Sequence, residues 1–193
     1  MDAAKNKTRA PAKPFTHREA MLTTFGLGFL RPAPGTWGSL PPLPIAALLV
    51  FIGSGSMAYH TAMVLILFVF SAACVAFGPY AATRFRRPDL PVEAKANADA
   101  PEIVADETAG QALALMGWPL LIAPQHPHSL WLMLAGIALS FFAFRAFDIL
   151  KPWPCNLLEK LPGAQGGVGV LADDLMAGIY ASASIALLAV VLT

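Results

Sequence analysis

Charged residues are scarce in this chain. Only 13% of its 193 residues are Asp, Glu, Lys or Arg, while 56% are hydrophobic. A typical soluble domain carries about 25% charged residues. A soluble domain of this size has too much surface to be covered by so few charges, so the excess apolar surface must face lipid. The formal net charge of +1 provides no global basic field, and we therefore expect no nucleic-acid partner.

Cysteine and histidine are also rare, with two and four copies. Cys74 lies in an apolar run and Cys155 in a loop after a proline-rich turn, so we expect two free thiols and no disulfide. The Cys-x5-Arg pattern of cysteine phosphatases is absent, because the sixth residue after Cys155 is Leu161. The histidines are expected in the N-terminal tail or at the outer ends of helices. This placement argues against a histidine nucleophile or a zinc site.

Long stretches of the chain contain no charge at all. These stretches are Pro32–Thr83, Thr108–Phe144 and Leu175–Thr193. Because a spanning helix needs about 20 apolar residues, the first two stretches each predict a helical hairpin and the third predicts one helix. The sequence thus predicts an all-α, polytopic membrane bundle of about five helices, near residues 39–52, 57–78, 102–123, 129–150 and 173–193. A soluble bundle would need polar residues every third or fourth position, and residues 63–70 show none.

The basic residues predict the orientation of this bundle. In the five-helix arrangement one side carries the N-terminal tail, Arg84, Arg86, Arg87, Lys151 and Lys160. Both hairpin turns on the other side are uncharged, the second of them at residues 124–128. Because Lys and Arg in short loops favour the cytoplasm, we expect the N-terminus and all charged segments to be cytoplasmic. Residues 1–20 are expected to form a disordered basic tail, and residues 21–193 a single membrane-embedded domain.

A glycine-rich segment, residues 26–39, precedes the first predicted helix. Its candidate ligand-binding residues are Gly35, Thr36 and Ser39. We expect Thr36 and Ser39 to cap the helix that follows. A glycine-lined loop that opens a helix exposes N–H groups suited to an anion. An ordinary membrane-entry turn explains the same segment equally well.

Two pairs of adjacent carboxylates are expected at the starts of helices. Asp106 and Glu107 follow Pro101, which we expect to be the first helical residue. Asp173 and Asp174 follow a second glycine-rich segment, which includes Gly167 and Gly169. Adjacent carboxylates at a membrane edge can share a divalent cation, although a solvated helix start or the helix dipole would also favour them. Small residues one turn further on, Gly110 and Gly178, would let the two helices approach closely.

A third charged motif ends the fourth predicted helix. Arg145 and Asp148 are three residues apart and share a helix face, and Pro152 should end the helix just after Lys151. Arg145 directly follows residues 141–144, which are apolar, so it sits deep for a charged residue, and such residues are usually paired or functional. A structural pair between Arg145 and Asp148 is one interpretation. Phosphate binding by Arg145 and Lys151 is the other.

Together these residues form a set suited to phosphoryl transfer. We expect Asp106, Glu107, Asp173 and Asp174 to converge on one Mg²⁺ region with Asp148 nearby. Because Mg²⁺ takes only one or two protein carboxylates, some of the four should lie outside direct contact with the ion, or one should serve as base or nucleophile. The nucleophile stays open between a metal-activated water and an aspartate.

In these motifs the chain resembles the phosphatidylglycerophosphatase A family. The similar segments are Pro34–Ser39, Asp106–Gly110, Arg145–Pro152 and Gly167–Gly178, in this order. The resemblance covers roughly residues 22–190. It implies a Mg²⁺-dependent phosphatase of the bacterial inner membrane that converts phosphatidylglycerophosphate into phosphatidylglycerol and inorganic phosphate. No obligate protein partner is expected beyond the bilayer and its lipid.

A membrane transporter or binding protein for a phosphate-bearing solute is the alternative. Such a protein would place polar groups near mid-bilayer between broken helices. In this sequence the outer helix ends carry no charge and no inverted repeat is visible, which favours the enzyme.

Overall fold

The computed structural model of the chain describes residues 15–85, 100–118, 130–155 and 168–192. All regular structure within these ranges is helical, as predicted. The tail up to residue 14, the predicted turn at residues 124–128 and Gly167 lie outside them. The helices are α1 (His17–Leu22), a 3₁₀ turn (Leu27–Phe29), α2 (Pro34–Ser39), α3 (Pro42–Phe51), α4 (Ser56–Arg84), α5 (Ala105–Ala114), α6 (Leu130–Leu150) and α7 (Val168–Leu192).

Three of the described helices are long and apolar enough to cross a membrane. The spans are Ser56–Ala81 of α4, Leu130–Leu150, which is all of α6, and Val168–Leu188 of α7. They correspond to the predicted helices near 57–78, 129–150 and 173–193. The predicted helices near 39–52 and 102–123 are represented by α3 and α5, of ten residues each. Since about 20 residues are needed to span a bilayer, the total of about five crossings stays a prediction.

Proline and glycine set several helix ends. Gly53, with a φ of +66°, allows the tight turn between α3 and α4, because only glycine adopts this conformation at no steric cost. At the end of α6, Lys151 has a left-handed φ of +44° and donates its N–H to the carbonyl of Phe147. Pro152 follows and prevents continuation of the helix. The predicted end of this helix is therefore confirmed.

The short helix α5 lies at the centre of the bundle. Its residues Ala105 and Ala109 pack in one apolar cluster with Phe70 of α4. Immediately after its last residue, Leu115 packs in a cluster with Met63, so α5 and α4 run in opposite directions. Gly110 lies against Asp174 of α7, and Gly117, just beyond α5, lies against Ser182 further along α7, so α5 and α7 run in the same direction. We name the end at which α4 and α6 finish and α5 and α7 begin the charged end.

Glycines permit the close contact between α5 and α7. A Cβ on Gly110 would lie 2.6 Å from the carbonyl oxygen of Asp174 and 2.6 Å from Cε2 of Phe144. A Cβ on Gly178 would lie 2.5 Å from the carbonyl oxygen of Gly110. Real Cβ atoms do not approach other atoms so closely, and over-packing of this kind costs about 1–3 kcal/mol. The predicted close approach at Gly110 and Gly178 is confirmed.

The N-terminal helix α1 is fixed to the charged end of α4. Thr16 and Glu19 form a capping box at the start of α1, and the buried Glu19 carboxylate pairs with the guanidinium of Arg84. Burial alone would raise the pKa of Glu19, but hydrogen bonds from Thr16 and Arg84 and the charge of Arg84 lower it below its ordinary value. Beyond α1, the carbonyl of Leu22 accepts the N–H of Val104. This bond places the residue before α5 and thereby helps to position the site.

Candidate active site

Three carboxylates meet at the charged end of the bundle. Asp106 and Glu107 come from the first turn of α5, and Asp174 comes from the second turn of α7. One oxygen atom of each lies within 4.8 Å of an oxygen atom of each of the others. The close contact of α5 with α7 at Gly110 brings these two acidic segments together. The predicted convergence of the two segments is thus present for these three residues.

This acidic cluster, Asp106, Glu107 and Asp174, is almost closed to solvent. Asp106 and Asp174 are each 4% exposed, and Oε2 of Glu107 is buried without a hydrogen-bond partner among the described residues. Crowding of these like charges disfavours their full ionisation, and a bound cation would relieve the repulsion.

The donor atoms indicate which cation fits. All three ligand groups are carboxylates, and hard divalent cations such as Mg²⁺ prefer oxygen donors. Free thiols are present at Cys74 and Cys155, both buried, but neither belongs to the acidic cluster. Among the described residues, this cluster therefore fits a hard cation better than Zn²⁺.

Arg145 and Asp148 lie beside the acidic cluster at the end of α6. Nη1 of Arg145 is 2.5 Å from Oδ2 of Asp148, so the predicted pair between them exists. The same Nη1 is buried and has no geometrically aligned hydrogen bond among the described residues. We conclude that the pair satisfies the charge of Arg145 without using all of its donors. The free donor capacity suits an additional anion such as a phosphate group.

Lys151 and Asp173 form a second ion pair, with Nζ of Lys151 2.6 Å from Oδ2 of Asp173. Lys151 is 37% exposed and Asp173 is 5% exposed at their side chains. The carboxylate of Asp173 therefore faces the ammonium group of Lys151, while that of its neighbour Asp174 faces α5. The acidic cluster accordingly includes Asp174 and not Asp173. Direct metal ligation by Asp173 stays a prediction.

The first glycine-rich segment packs onto the same site. A Cβ on Gly35 would collide with Oε1 of Glu107 and would lie 3.3 Å from Nη1 of Arg145. The backbone of α2 thus lies directly against one member of the acidic cluster and the adjacent guanidinium. Thr36 is half-buried in the same helix. The placement of Gly35 supports the prediction that this segment contributes to a binding site.

The predicted capping roles of Thr36 and Ser39 are wrong. Both residues lie inside α2, and neither α2 nor α3 has a side-chain cap. Proline near the start of each helix explains this, because its missing N–H removes one of the donors that a cap would satisfy. Ser39 instead donates its hydroxyl to the carbonyl of Gly35, at 2.7 Å. It thereby stabilises the turn that approaches Glu107.

The predicted role of Pro101 as first helical residue is also wrong. Helix α5 begins at Ala105, and Pro101 lies in a preceding turn. The start is held by two threonines that the sequence analysis did not identify. The hydroxyls of Thr24 and Thr108 are 2.8 Å apart, and the Thr108 hydroxyl also contacts the carbonyl of Gly38 at 2.7 Å. These bonds join the N-terminal segment, α2 and α5. The two threonines are 84 residues apart, so no local sequence pattern predicts that their hydroxyls meet.

Two remaining predicted residues belong to the second glycine-rich segment. Gly169 is buried in the first turn of α7, four residues before Asp173. Gly167 cannot be placed, since it lies outside the described residues. Phosphate binding by either glycine stays a prediction.

Exposure increases steadily from α5 toward the end of α6. Asp106 and Asp174 are each 4% exposed, the Arg145 and Asp148 side chains 17% and 15%, and Lys151 37%. The site therefore opens beside the cations and closes toward α5. An anion that enters would meet Arg145 and Lys151 before it reached the carboxylates. This order suits a phosphate group that approaches the acidic cluster.

The chain is similar to known phosphatases over most of its length. The family model for Phosphatidylglycerophosphatase A matches residues 20–189. A phosphatidylglycerophosphatase A from Haemophilus influenzae is 35% identical, covering 81% of this chain and 79% of the relative. The corresponding Escherichia coli protein is 28% identical, covering 82% and 75%. A Bacteroides thetaiotaomicron protein with the provisional name phosphatidylinositol-3-phosphatase is 34% identical, covering 82% and 84%. No solved structure gives a significant match.

Proposed function

The chain belongs to the phosphatidylglycerophosphatase A family and is a phosphatase, and we propose that it hydrolyses phosphatidylglycerophosphate to phosphatidylglycerol and inorganic phosphate. The observation that carries this proposal is the acidic cluster, which lies next to a guanidinium and a glycine backbone. This combination binds a phosphate monoester between cations and fixed N–H groups. The membrane helices favour a lipid as the molecule that carries the phosphate.

Asp106, Glu107 and Asp174 are the residues that would hold Mg²⁺, with Asp148 and Asp173 as nearby carboxylates. Bound Mg²⁺ supplies Lewis-acid stabilisation of the negative charge on the phosphoryl oxygens. The chain's own part is to fix the geometry, which the packing of α5 on α7 does at Gly110. Burial of the cluster excludes bulk water and strengthens each electrostatic contact.

Arg145 and Lys151 are proposed to bind the phosphate oxygens. Arg145 pairs with Asp148 through Nη1, and its guanidinium has further N–H donors for a phosphate oxygen. Lys151 pairs with Asp173, and its side chain is 37% exposed, so a ligand that enters from the open side would contact it. Backbone groups near Gly35 and Gly169 are proposed to contribute N–H donors, as are those near Gly167. Thr36 and Ser39 would then shape the first of these segments.

We place the protein in the bacterial inner membrane with the N-terminus and the charged end facing the cytoplasm. Arg84 and Lys151 lie at the charged end, and basic residues near spanning helices favour the cytoplasm. The uncharged turn at residues 53–56 lies at the opposite end of α4. Five crossings remain part of this proposal, with α3 and α5 completed by residues next to them.

A phosphoinositide monoester is a second candidate substrate. The name of the Bacteroides relative supports it, and a site that grips only a terminal phosphate would accept either lipid. The glycerol-containing lipid is preferred here because the family model and two relatives carry that name.

Phosphate release by the purified protein in detergent tests the proposal. Phosphatidylglycerophosphate, a phosphatidylinositol monophosphate and phosphatidic acid would be compared at equal surface concentration, with Mg²⁺ and then with EDTA. We expect the first lipid to be preferred and EDTA to abolish the reaction. Asp174→Asn should remove most activity, while Glu102→Gln, outside the acidic cluster, should not. Full activity in EDTA would refute the metal role, and a preference for the inositol lipid would reassign the substrate.

A further inference from the structure

Gln111 is a completely buried residue with no hydrogen-bond partner among the described residues. Its relative exposure is 0%, and neither its amide nitrogen nor its amide oxygen has a partner there. An unsatisfied buried polar group costs about 1–3 kcal/mol. Such a group in a native fold calls for an explanation, for example a ligand or a water molecule that completes its bonding.

The position of Gln111 associates it with the acidic cluster. It lies four residues after Glu107 on α5, which places both on one helix face with Cβ atoms about 6 Å apart. Long side chains on a helix lean toward its N-terminus, so the amide of Gln111 leans toward Glu107. Oε2 of Glu107 is itself buried and without a partner among the described residues. The side chains of Glu107 and Gln111, one helical turn apart, therefore both have polar atoms that a small molecule between them would contact.

The chemistry of an amide restricts what can occupy this region. The Gln111 side chain offers two N–H donors and one acceptor oxygen. A phosphoryl oxygen accepts hydrogen bonds but cannot donate one, so it would leave the amide oxygen unsatisfied. A water molecule both donates and accepts, and it also suits the free oxygen of Glu107. Water is therefore the occupant that satisfies all of these atoms together.

The direction of substrate entry gives this water a role. The site opens beside Lys151 and Arg145 and closes toward Gln111, the least exposed of these residues. A phosphate ester of a large alcohol must keep its ester oxygen toward the opening. In phosphoryl transfer the attacking and leaving oxygens lie roughly in line through phosphorus. The attacking oxygen must then approach from the closed side, where Gln111 lies.

We propose that Gln111 binds and orients the water molecule that attacks the phosphorus atom. The water oxygen forms a bond to phosphorus as the ester P–O bond breaks, and the electron pair of that bond remains on the alcohol oxygen. The water oxygen keeps one proton, its other proton passes to a phosphoryl oxygen, and the alcohol oxygen takes a proton from solvent at the open side. The products are the alcohol and inorganic phosphate. This inference rests on the proposed phosphatase function and selects water over a carboxylate as the nucleophile.

Gln111→Met tests the proposal, since it keeps the length of the side chain and removes both polar functions. The buried amide it removes is unsatisfied, so the variant should fold with wild-type or higher thermal stability. We expect kcat on phosphatidylglycerophosphate to fall roughly 100-fold, with KM within about threefold. Ser140→Ala is the matched control, because Ser140 is equally buried but already bonded to the carbonyl of Gly136. It should keep wild-type kcat.

Ligand binding separates this role from a structural one. In the presence of Mg²⁺, inorganic phosphate occupies the site without an attacking water, whereas aluminium fluoride copies the in-line arrangement with an axial water. Calorimetry should show unchanged phosphate affinity for Gln111→Met and a fall of aluminium fluoride affinity by roughly the factor lost in kcat. Equal loss of both affinities would overturn the proposal, and so would kcat within about threefold of wild type.

Acid quenching of the wild-type reaction with substrate labelled in the terminal phosphate gives an independent test. We expect no covalently bound label. Label retained on the protein would show that a side chain attacks phosphorus, which would overturn the water assignment. A wild-type protein that released no phosphate from any of the three lipids would instead refute the proposed function. The two failures are therefore distinguishable.

Discussion

Replacement of one carboxylate in the acidic cluster should stabilise the metal-free protein and remove its response to Mg²⁺. The variant Glu107→Gln keeps the shape of the side chain but removes its charge. With oxygens within 4.8 Å of one another, each pair of charges repels by about 3.5 kcal/mol or more at an effective dielectric constant near 20. In the metal-free wild type, proton uptake by the cluster relieves only part of this repulsion. The neutral amide of the variant removes the share that Glu107 contributes. We therefore expect the melting temperature of the metal-free variant to exceed that of the wild type by a few degrees.

The response to Mg²⁺ should be opposite. A cation at 100 times its Kd stabilises a protein by about 2.7 kcal/mol, which corresponds to roughly 5–11 °C for a chain of this size. We expect a shift of that order for the wild type. For Glu107→Gln we expect Mg²⁺ to raise the melting temperature by less than about 2 °C. One ligand is lost in this variant, and Mg²⁺ binding depends strongly on carboxylates.

Thermal unfolding in detergent, followed by the loss of the monodisperse elution peak, measures both effects. The control is Glu102→Gln, whose carboxylate pairs with Arg31 at 3.1 Å and lies outside the acidic cluster. It should keep the full shift with Mg²⁺. The reasoning is refuted if the wild type does not respond to millimolar Mg²⁺, or if Glu107→Gln responds as strongly as the control.

Three further predictions concern the glycine segment, the guanidinium and the orientation. Gly35→Ala should lower kcat at least about tenfold, because its Cβ would displace Glu107 and Arg145, while Gly55→Ala meets no atom within 4 Å and should be neutral; equal activities would show that α2 does not shape the site. Arg145→Lys should raise KM roughly tenfold, since a bidentate fork is lost, and an unchanged KM would leave Arg145 as the structural partner of Asp148. In cells carrying a chain without native cysteines, an impermeant thiol reagent should label Gly55→Cys but not Thr83→Cys, and the reverse would invert the proposed orientation.

The long helices and the acidic segments could be predicted because each depends on one strong physical constraint. An uncharged run of sufficient length has few alternatives to a membrane helix, and α4, α6 and α7 follow that rule. The convergence of Asp106 with Asp174 followed from two acidic pairs placed at the same end of parallel helices. Glycines one turn further on gave an independent reason for close approach, and Gly110 contacts α7 as expected.

The features that sequence patterns did not predict depend on tertiary contacts. Whether Asp173 or Asp174 faces α5 depends on the rotation of α7, which the sequence does not specify when both are equally polar. The bond between Thr24 and Thr108 joins residues 84 positions apart, and no local pattern marks either partner. Gln111 resembles any polar residue on a short helix. Only its complete burial without a partner among the described residues makes it notable.

The depth of the acidic cluster explains why the N-terminal segment is needed. Ala105 and Ala109 pack on α4 near Phe70, which is 14 residues, or roughly 21 Å, from Ser56 at the opposite end of that helix. A hydrocarbon core is about 30 Å thick, so in the proposed orientation the carboxylates lie roughly 9 Å inside the boundary at the charged end.

Carboxylates at that depth must be shielded from lipid. The contact of Gly35 with Glu107 and the bond between Thr24 and Thr108 show that the segment from α1 to α2 covers one side of the site. The pair between Glu19 and Arg84 fixes this segment to the part of α4 beyond the site. A headgroup phosphate at the boundary would then need to move roughly 9 Å inward, past Lys151 and Arg145, to reach the acidic cluster. A lipid phosphatase built in this way brings the phosphate to the acidic cluster without lifting the lipid out of the membrane.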